Sequence, residues 1–209
     1  VKQSGQLEKS IAVLPFKNES PVDSNRYFID GIMEEVLANL QKIKDFRVLS
    51  RTSTDQYKGS DRPTIPEIGK KLGVSYVVEG SGQKYGNIFR LRVQLIRARG
   101  KEAHLWAKSY EQEIRETKDI FNIQNEIAQS IASELKATIT PEEKQIIEKT
   151  PTTSLTAYNF FQRGKVEYVD YRVDNKKEAL RNAEHYYRTA LEYDSTFAEA
   201  YAGLALTYM

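Results

Sequence analysis

The sequence predicts an α/β domain, sandwich-like and built on a mixed sheet, followed by an α-helical hairpin. Three observations carry that expectation. Short apolar runs alternate with amphipathic helical stripes from residue 10 to about residue 139. Within that span three strand-like segments follow one another with only turn residues between them, so the sheet should end in an antiparallel meander. After residue 154 the apolar spacing is helical throughout.

Taken in order, Ser10 to Phe16 (SIAVLPF) reads as a buried strand ended by Pro15. The segment PVDSN at 21–25 offers turn residues and N-cap candidates. A helix from about Arg26 to Ile43 follows, with Phe28, Ile32, Val36, Leu40 and Ile43 on one stripe. Gly31 lies inside it, which predicts close packing against a strand. Phe46 to Ser53 reads as the second strand. Thr64 and Glu67 have capping-box spacing, Pro66 suits a first turn, and Gly73 is the expected cap after Leu72. Strands are then expected at 75–80, 88–98 and 103–110, with turns at 80–87 and 99–101. The clearest alternates Phe89, Leu91, Val93 and Leu95 with Arg90, Arg92 and Gln94. A helix from Asp119 to about Ile139 closes the unit. Thr140-Pro141-Glu142-Glu143 then starts a short helix to about Lys149. Thr150 to Ser154 is the expected linker. Helices should run from about Leu155 to Val169, from about Asn175 to Tyr193, and from Thr196 onward. The expected division is 1–9 disordered or linker, 10–149 the α/β domain, 150–154 linker, and 155–209 the helical unit.

Composition excludes several chemistries. There is no cysteine among the 209 residues, so disulfides, thiolate metal sites and a Cys nucleophile are out. His104 and His185 are the two histidines, 81 positions apart, which argues against a histidine-rich metal site. No apolar run reaches the ~20 residues of a membrane-spanning helix. Residues 1–141 hold 22 Lys+Arg against 18 Asp+Glu, and residues 142–209 hold 9 against 11. Neither part has the basic excess of a typical nucleic-acid-binding domain, so no direct nucleic-acid contact is expected. The chain begins with Val1 and ends in mid-pattern, and it reads as a piece of a longer protein.

The helical part carries a self-match. Ala157-Tyr158 followed by Phe161 lines up with Ala200-Tyr201 followed by Leu204, with Ala183, Tyr187 and Ala190 between the copies. This resembles the tetratricopeptide repeat, over one repeat and the first helix of another. The copies stand 43 apart, about nine more than the usual period. Gln162 stands where that pattern expects a small residue. The first part resembles the TolB-like amino-terminal domain of bacterial proteins, through IAVLPF at 11–16, YFIDGIMEEVLANL at 27–40, VLSRTSTDQYKG at 48–59 and IGKKLGVSYVVEGS at 68–81. FRLRVQLI at 89–96, AHLWAKSY at 103–110 and DIFNIQNEIAQSI at 119–131 continue it. The resemblance implies a module that sits beside winged-helix, class III cyclase or anchoring segments in longer chains. It supplies no catalytic residues.

Each candidate site has a plainer reading. Gly80, Gly82 and Gly86 lack both the spacing and the following helix of a dinucleotide loop, and read as a hairpin turn. Arg90, Arg92, Arg97 and Arg99 read as a solvated face, neutralised across strands by Glu79, Glu102 and Glu111. Asp30 and Glu34, one turn apart on one face with Glu35 close by, could make a carboxylate pair that binds a cation or does acid–base work, but acidic residues early in a helix favour its dipole. His104 and Trp106, two apart on one strand, should share a face. Asn159 and Arg163 are the candidate partner-binding residues, one turn apart in the groove that the repeat resemblance implies. Arg163 would meet a carboxylate and Asn159 a peptide backbone.

The expectation is a non-enzymatic protein-interaction or sensory module of a larger bacterial regulatory or envelope protein. Its helices would dock a protein or peptide partner. No catalytic residue, metal or cofactor is expected, and self-association through the exposed last helix is a further expectation. The alternative is a small-molecule or nucleotide-binding regulatory domain controlling an upstream cyclase or DNA-binding domain. The extracytoplasmic side of a bacterial membrane is favoured over the cytoplasm.

Overall fold

In the computed structural model, residues 8–20, 26–59 and 61–209 are described. The turn and N-cap expectation for 21–25 lies outside them, as does most of the segment 1–9. Strand β1 (Ser10–Val13) occupies the interior of a mixed sheet. It pairs in parallel with β3 (Arg47–Val48) on one side and with β4 (Tyr76–Tyr85) on the other. A short strand, β2 (Lys17–Asn18), adds parallel to the far part of β4. β4, β5 (Ile88–Arg97) and β6 (Ala103–Glu113) form the expected antiparallel meander, giving the order β3-β1-β4-β5-β6.

Helix α1 (Arg26–Gln41) and helix α4 (Thr117–Glu134) cover one face of this sheet. Ile29, Ile32, Val36, Ile120, Ile123 and Ile127 pack there on Ile11, Val13, Val78 and the Phe89–Leu95 row of β5. Helix α3 (Ile65–Leu72) covers the other face over β1 and β4, with Ile68 against Ala12, Leu14 and Val77. Its Thr64–Glu67 capping box forms, and Gly73 takes the left-handed conformation at φ +64° that ends it. α5 (Pro141–Glu148) starts on the Thr140–Glu143 capping box. α6 (Leu155–Asp174), α7 (Lys177–Tyr193) and α8 (Ala198–Leu206) follow. α6 and α7 form an antiparallel hairpin held by Phe161, Ala183, Tyr187, Ala190 and Phe197.

Four local expectations change. The second strand stops at Val48, and Arg51–Thr54 is a helical turn, α2, continued by a 3-10 turn at Asp55–Tyr57. Arg51 is ion-paired to Glu34 of α1 and to Asp55, which favours coiling over extension there. The expected turn at 80–87 is mostly strand. Only Gly86 and Asn87 turn, with Gly86 at φ +56° in the first loop position, where a tight hairpin favours glycine. α4 ends at Glu134, before Ile139, because Lys136 turns left-handed at φ +49°. That turn seats Ala137 and Ile139 beside Ile43 and Ile147. Finally, His104 and Trp106 do not share a face. β6 bulges at Leu105, so Trp106 pairs with Leu95 and His104 with Ile96.

Candidate functional site

Chain direction places a crevice at the carboxyl end of β1. From β1 the chain leaves through α1 to β3; from β3 it crosses back through α3 to β4 on β1's other side. α1 and α3 lie on opposite faces, so the two connections diverge between β1 and β4. Such divergence leaves a cleft where open α/β sheets bind ligands. Here it has a volume of about 600 Å³ and is walled by Phe16, Asn18, Asp30, Lys58, Ser81 and Arg92.

Three carboxylates line it, the exposed Glu19 and the more deeply set Asp30 and Glu79. Asp30 is 3% exposed. Arg26 Nε donates to its Oδ2 at 3.3 Å, and Lys58 Nζ stands 3.7 Å from the same oxygen. The two cations facing one oxygen compensate the burial of the carboxylate. Glu79 Oε2 accepts from Arg62 Nη2 at 2.5 Å, and Gln94 Nε2 donates to its other oxygen. Gln94 Oε1 in turn lies 3.2 Å from His104 Nδ1. Arg92 is exposed beside them and has no ion-pair partner among the described residues. The crevice therefore offers an uncommitted guanidinium beside two satisfied ion pairs, a surface for a small anion.

The glycines of β4 have another purpose. A Cβ on Gly80 would lie 3.1 Å from the Phe16 ring, and one on Gly82 would lie 2.8 Å from Ile29 Cδ1. They let α1 and the segment after β1 press onto the strand. Of the arginines, Arg90 is neutralised across the strands by Glu111 at 2.9 Å, while Glu79 serves Arg62 instead. That hydrogen bond to Glu111 raises the pKa of Arg90 further.

A second cluster joins α6 to α1. Glu34 is ion-paired to Arg51, and Lys165 of α6 stands 3.2 Å from Glu34 and 3.3 Å from Glu35. Asp30 is paired to Arg26 and Lys58, while Glu34 and Glu35 share Lys165, so Asp30 and Glu34 do not form a carboxylate dyad. Gly31 faces α6, not a strand: a Cβ there would lie 2.5 Å from Gln162 Oε1. Tyr158 of α6 enters the sheet's own core, edge-on to Phe121 at 5.3 Å, and its hydroxyl accepts from Gln124 Nε2 at 3.2 Å. Burial pushes its pKa up. Asn159 and Arg163 are both half-buried on α6. Arg163 stacks on Tyr27 of α1, 4.8 Å from the ring centroid. Burial works against its charge, and hydrogen bonds to Tyr27 and Tyr186 outweigh that, raising its pKa. Asn159 Oδ1 is buried without a hydrogen-bond partner. Sequence spacing marked Asp30, Glu34 and Glu35. It did not mark Arg26, Arg51, Lys58, Arg62 or Lys165, whose sites are assembled across the fold.

Residues 7–134 match the family described as HilA/YgeH-like transcriptional regulator, second domain. A relative in Rhizobium meliloti (strain 1021), named "Putative adenylate cyclase 3", is 34% identical over 197 residues, 94% of this chain. The chain spans 32% of that relative's length. TolB from Acinetobacter baumannii shares 18% identity over 60% of this chain and 28% of its own, with a TM-score of 0.45. Lipoprotein GNA1162 from Neisseria meningitidis shares 17% over 63% of this chain and 99% of its own, with a TM-score of 0.41. The family description differs from the TolB-like one expected from sequence, although TolB is among the similar structures.

Proposed function

Because the chain belongs to the family of HilA/YgeH-like transcriptional regulator second domains, we propose that it is a non-enzymatic regulatory module that passes a signal between its sheet and a helical docking scaffold. The docking of α6 on α1 carries the reading. Tyr158 is part of the sheet's core, Gln162 fills the space above Gly31, and Lys165 is held between Glu34 and Glu35. A hairpin seated this way moves with α1, so a change at either place is felt at the other. In this reading α6 and α7 are a tetratricopeptide-like repeat and α8 opens the next. Ala157, Ala183, Ala190 and Ala200, all buried, support it as the small contact residues of that pattern. Tyr193 and Tyr201 lie exposed on α7 and α8 and offer the partner-facing aromatics, whereas Tyr208, just past α8, is held back on α7 by Glu184 and Arg188.

The test uses the full-length protein. Replacing Tyr201 by Ser is expected to release a co-purifying protein partner while leaving Tm nearly unchanged, since its side chain is exposed. Turnover of a substrate by the purified protein, with no partner retained, would overturn the reading.

A second reading, control by an anionic small molecule, is supported by Arg92 standing free in the crevice beside the paired Asp30 and Glu79. Nucleotides or other phosphates should then raise Tm, and Arg92→Ala should abolish the rise.

A further inference from the structure

A separate cavity of about 230 Å³ lies where the sheet layer meets the hairpin. Every element of the junction contributes to it: α1, α4, the end of α5, the segment after it, α6 and the start of α8. Four aromatic rings line it. Phe121 and Tyr158 meet edge to face at 5.3 Å, and Phe161 and Phe197 lie 4.8 Å apart. All four are buried, between 1% and 8% exposed.

Its rim is charged in both signs. Lys42 and Lys149 stand with Glu35 and Glu199 around the same opening. Lys42 Nζ donates to Asn39 Oδ1 at 2.9 Å and lies 3.4 Å from the Ile146 carbonyl oxygen. Burial lowers the pKa of Lys42, and the charges of Glu35 and Glu199 oppose that shift. Lys149 and Glu199 are exposed, and neither has an ion-pair partner among the described residues. An apolar floor with one free cation and one free anion at the mouth does not suit a simple anion, a simple cation or a purely apolar molecule. A molecule that carries both charges and an apolar group would match all three features at once.

We propose that this cavity binds a free α-amino acid with an apolar side chain. The side chain enters among the rings, the ammonium meets Glu199 and Glu35, and the carboxylate meets Lys149 and Lys42. The cavity is smaller than the common range for drug-sized ligands, which suits a molecule of this size. Such a ligand would touch α1 and α6 at once and would set how firmly the hairpin is held. This goes beyond the regulatory reading above. Its test needs no partner, so the two readings fail separately.

The test is calorimetry and thermal melting of this chain with L-leucine, L-phenylalanine, and the N-acetyl and methyl-ester forms of each. The free amino acids are expected to raise Tm in proportion to the logarithm of concentration. Capping either end should weaken binding on the order of tenfold or more, as should Lys149→Met or Glu199→Gln. Both of those side chains are exposed, so the variants should fold. A flat melting response to all the free amino acids would overturn the proposal. So would equal binding of the capped forms, or binding unchanged in the two variants. Binding of a peptide but of no free amino acid would overturn it in favour of a docking pocket.

Discussion

A Cβ on Gly31 would stand 2.5 Å from Gln162 Oε1. Each residue breaks a local rule. Glycine costs a helix interior about 1 kcal/mol relative to alanine, and Gln162 is a long polar side chain where the repeat-like spacing asks for a small one. The two departures explain each other, because the missing side chain on α1 makes room for the long one on α6. Gly31→Ala should therefore destabilise only while Gln162 is present. Overpacking costs about 1–3 kcal/mol, partly offset by the better helix former. In Gly31→Ala/Gln162→Ala the loss should be relieved, giving a coupling energy of about 1–2 kcal/mol. Additive values in a denaturation cycle would show that the two side chains do not meet. A related clamp holds Tyr187, where a Cβ on Gly164 would approach its ring to 2.7 Å and one on Gly203 to 2.6 Å. Tyr187→Ala should cost about 3–5 kcal/mol in the same measurement. The sequence showed Gly31 and Gln162 as oddities. It did not show that they touch, because contact between residues 131 apart is decided by how two layers pack.

Most elements were legible from spacing and caps, and the errors fall where tertiary contacts override local pattern. The β5 alternation, the Thr64 and Thr140 capping boxes and the Gly73 cap are local chemistry, and each forms. The segment Arg51–Thr54 reads as strand locally, yet Arg51 is drawn to Glu34 on another element. The bulge in β6 is likewise invisible in a run of alternating residues, since it depends on the partner strand. It also makes a prediction. Leu105 is the extra residue, and its neighbours already pair with Leu95 and Ile96. Deleting Leu105, which is half-buried, should leave the flanking pairing intact and cost less than the ~1.5–3 kcal/mol of a fully buried side chain of that kind. Loss of the folded circular dichroism spectrum would mean that the bulge itself is required. Of the crevice, Asp30 was legible as a residue; of its cationic partners, Arg26 stands one turn before it on α1, and Lys58 arrives from the segment after α2, which spacing along α1 does not show.

For the whole molecule, stability should fall at both ends of the pH scale. Glu67 and Glu143 are held below the usual glutamate range by the backbone amides of Thr64 and Thr140, Asp45 by Lys9, and Asp194 by the Thr152 hydroxyl. A lowered carboxylate stabilises above its unfolded pKa and loses that contribution as pH falls through its folded one. Chemical denaturation should therefore show stability declining below about pH 4.5. Tyr110, Tyr158 and Tyr187 are pushed the other way by burial. Their contribution is intact below the unfolded tyrosine pKa and is lost above about pH 10. A flat profile across either limit would contradict these placements. Tyr158 has one more consequence, for anyone choosing where to cut the gene. The family match ends at residue 134, yet a ring from residue 158 plugs the layer over Phe121. A fragment trimmed to the match would emerge from the ribosome with an unsealed hole in its interior. It should collect in the insoluble fraction, whereas one carried on through α7 should stay in solution.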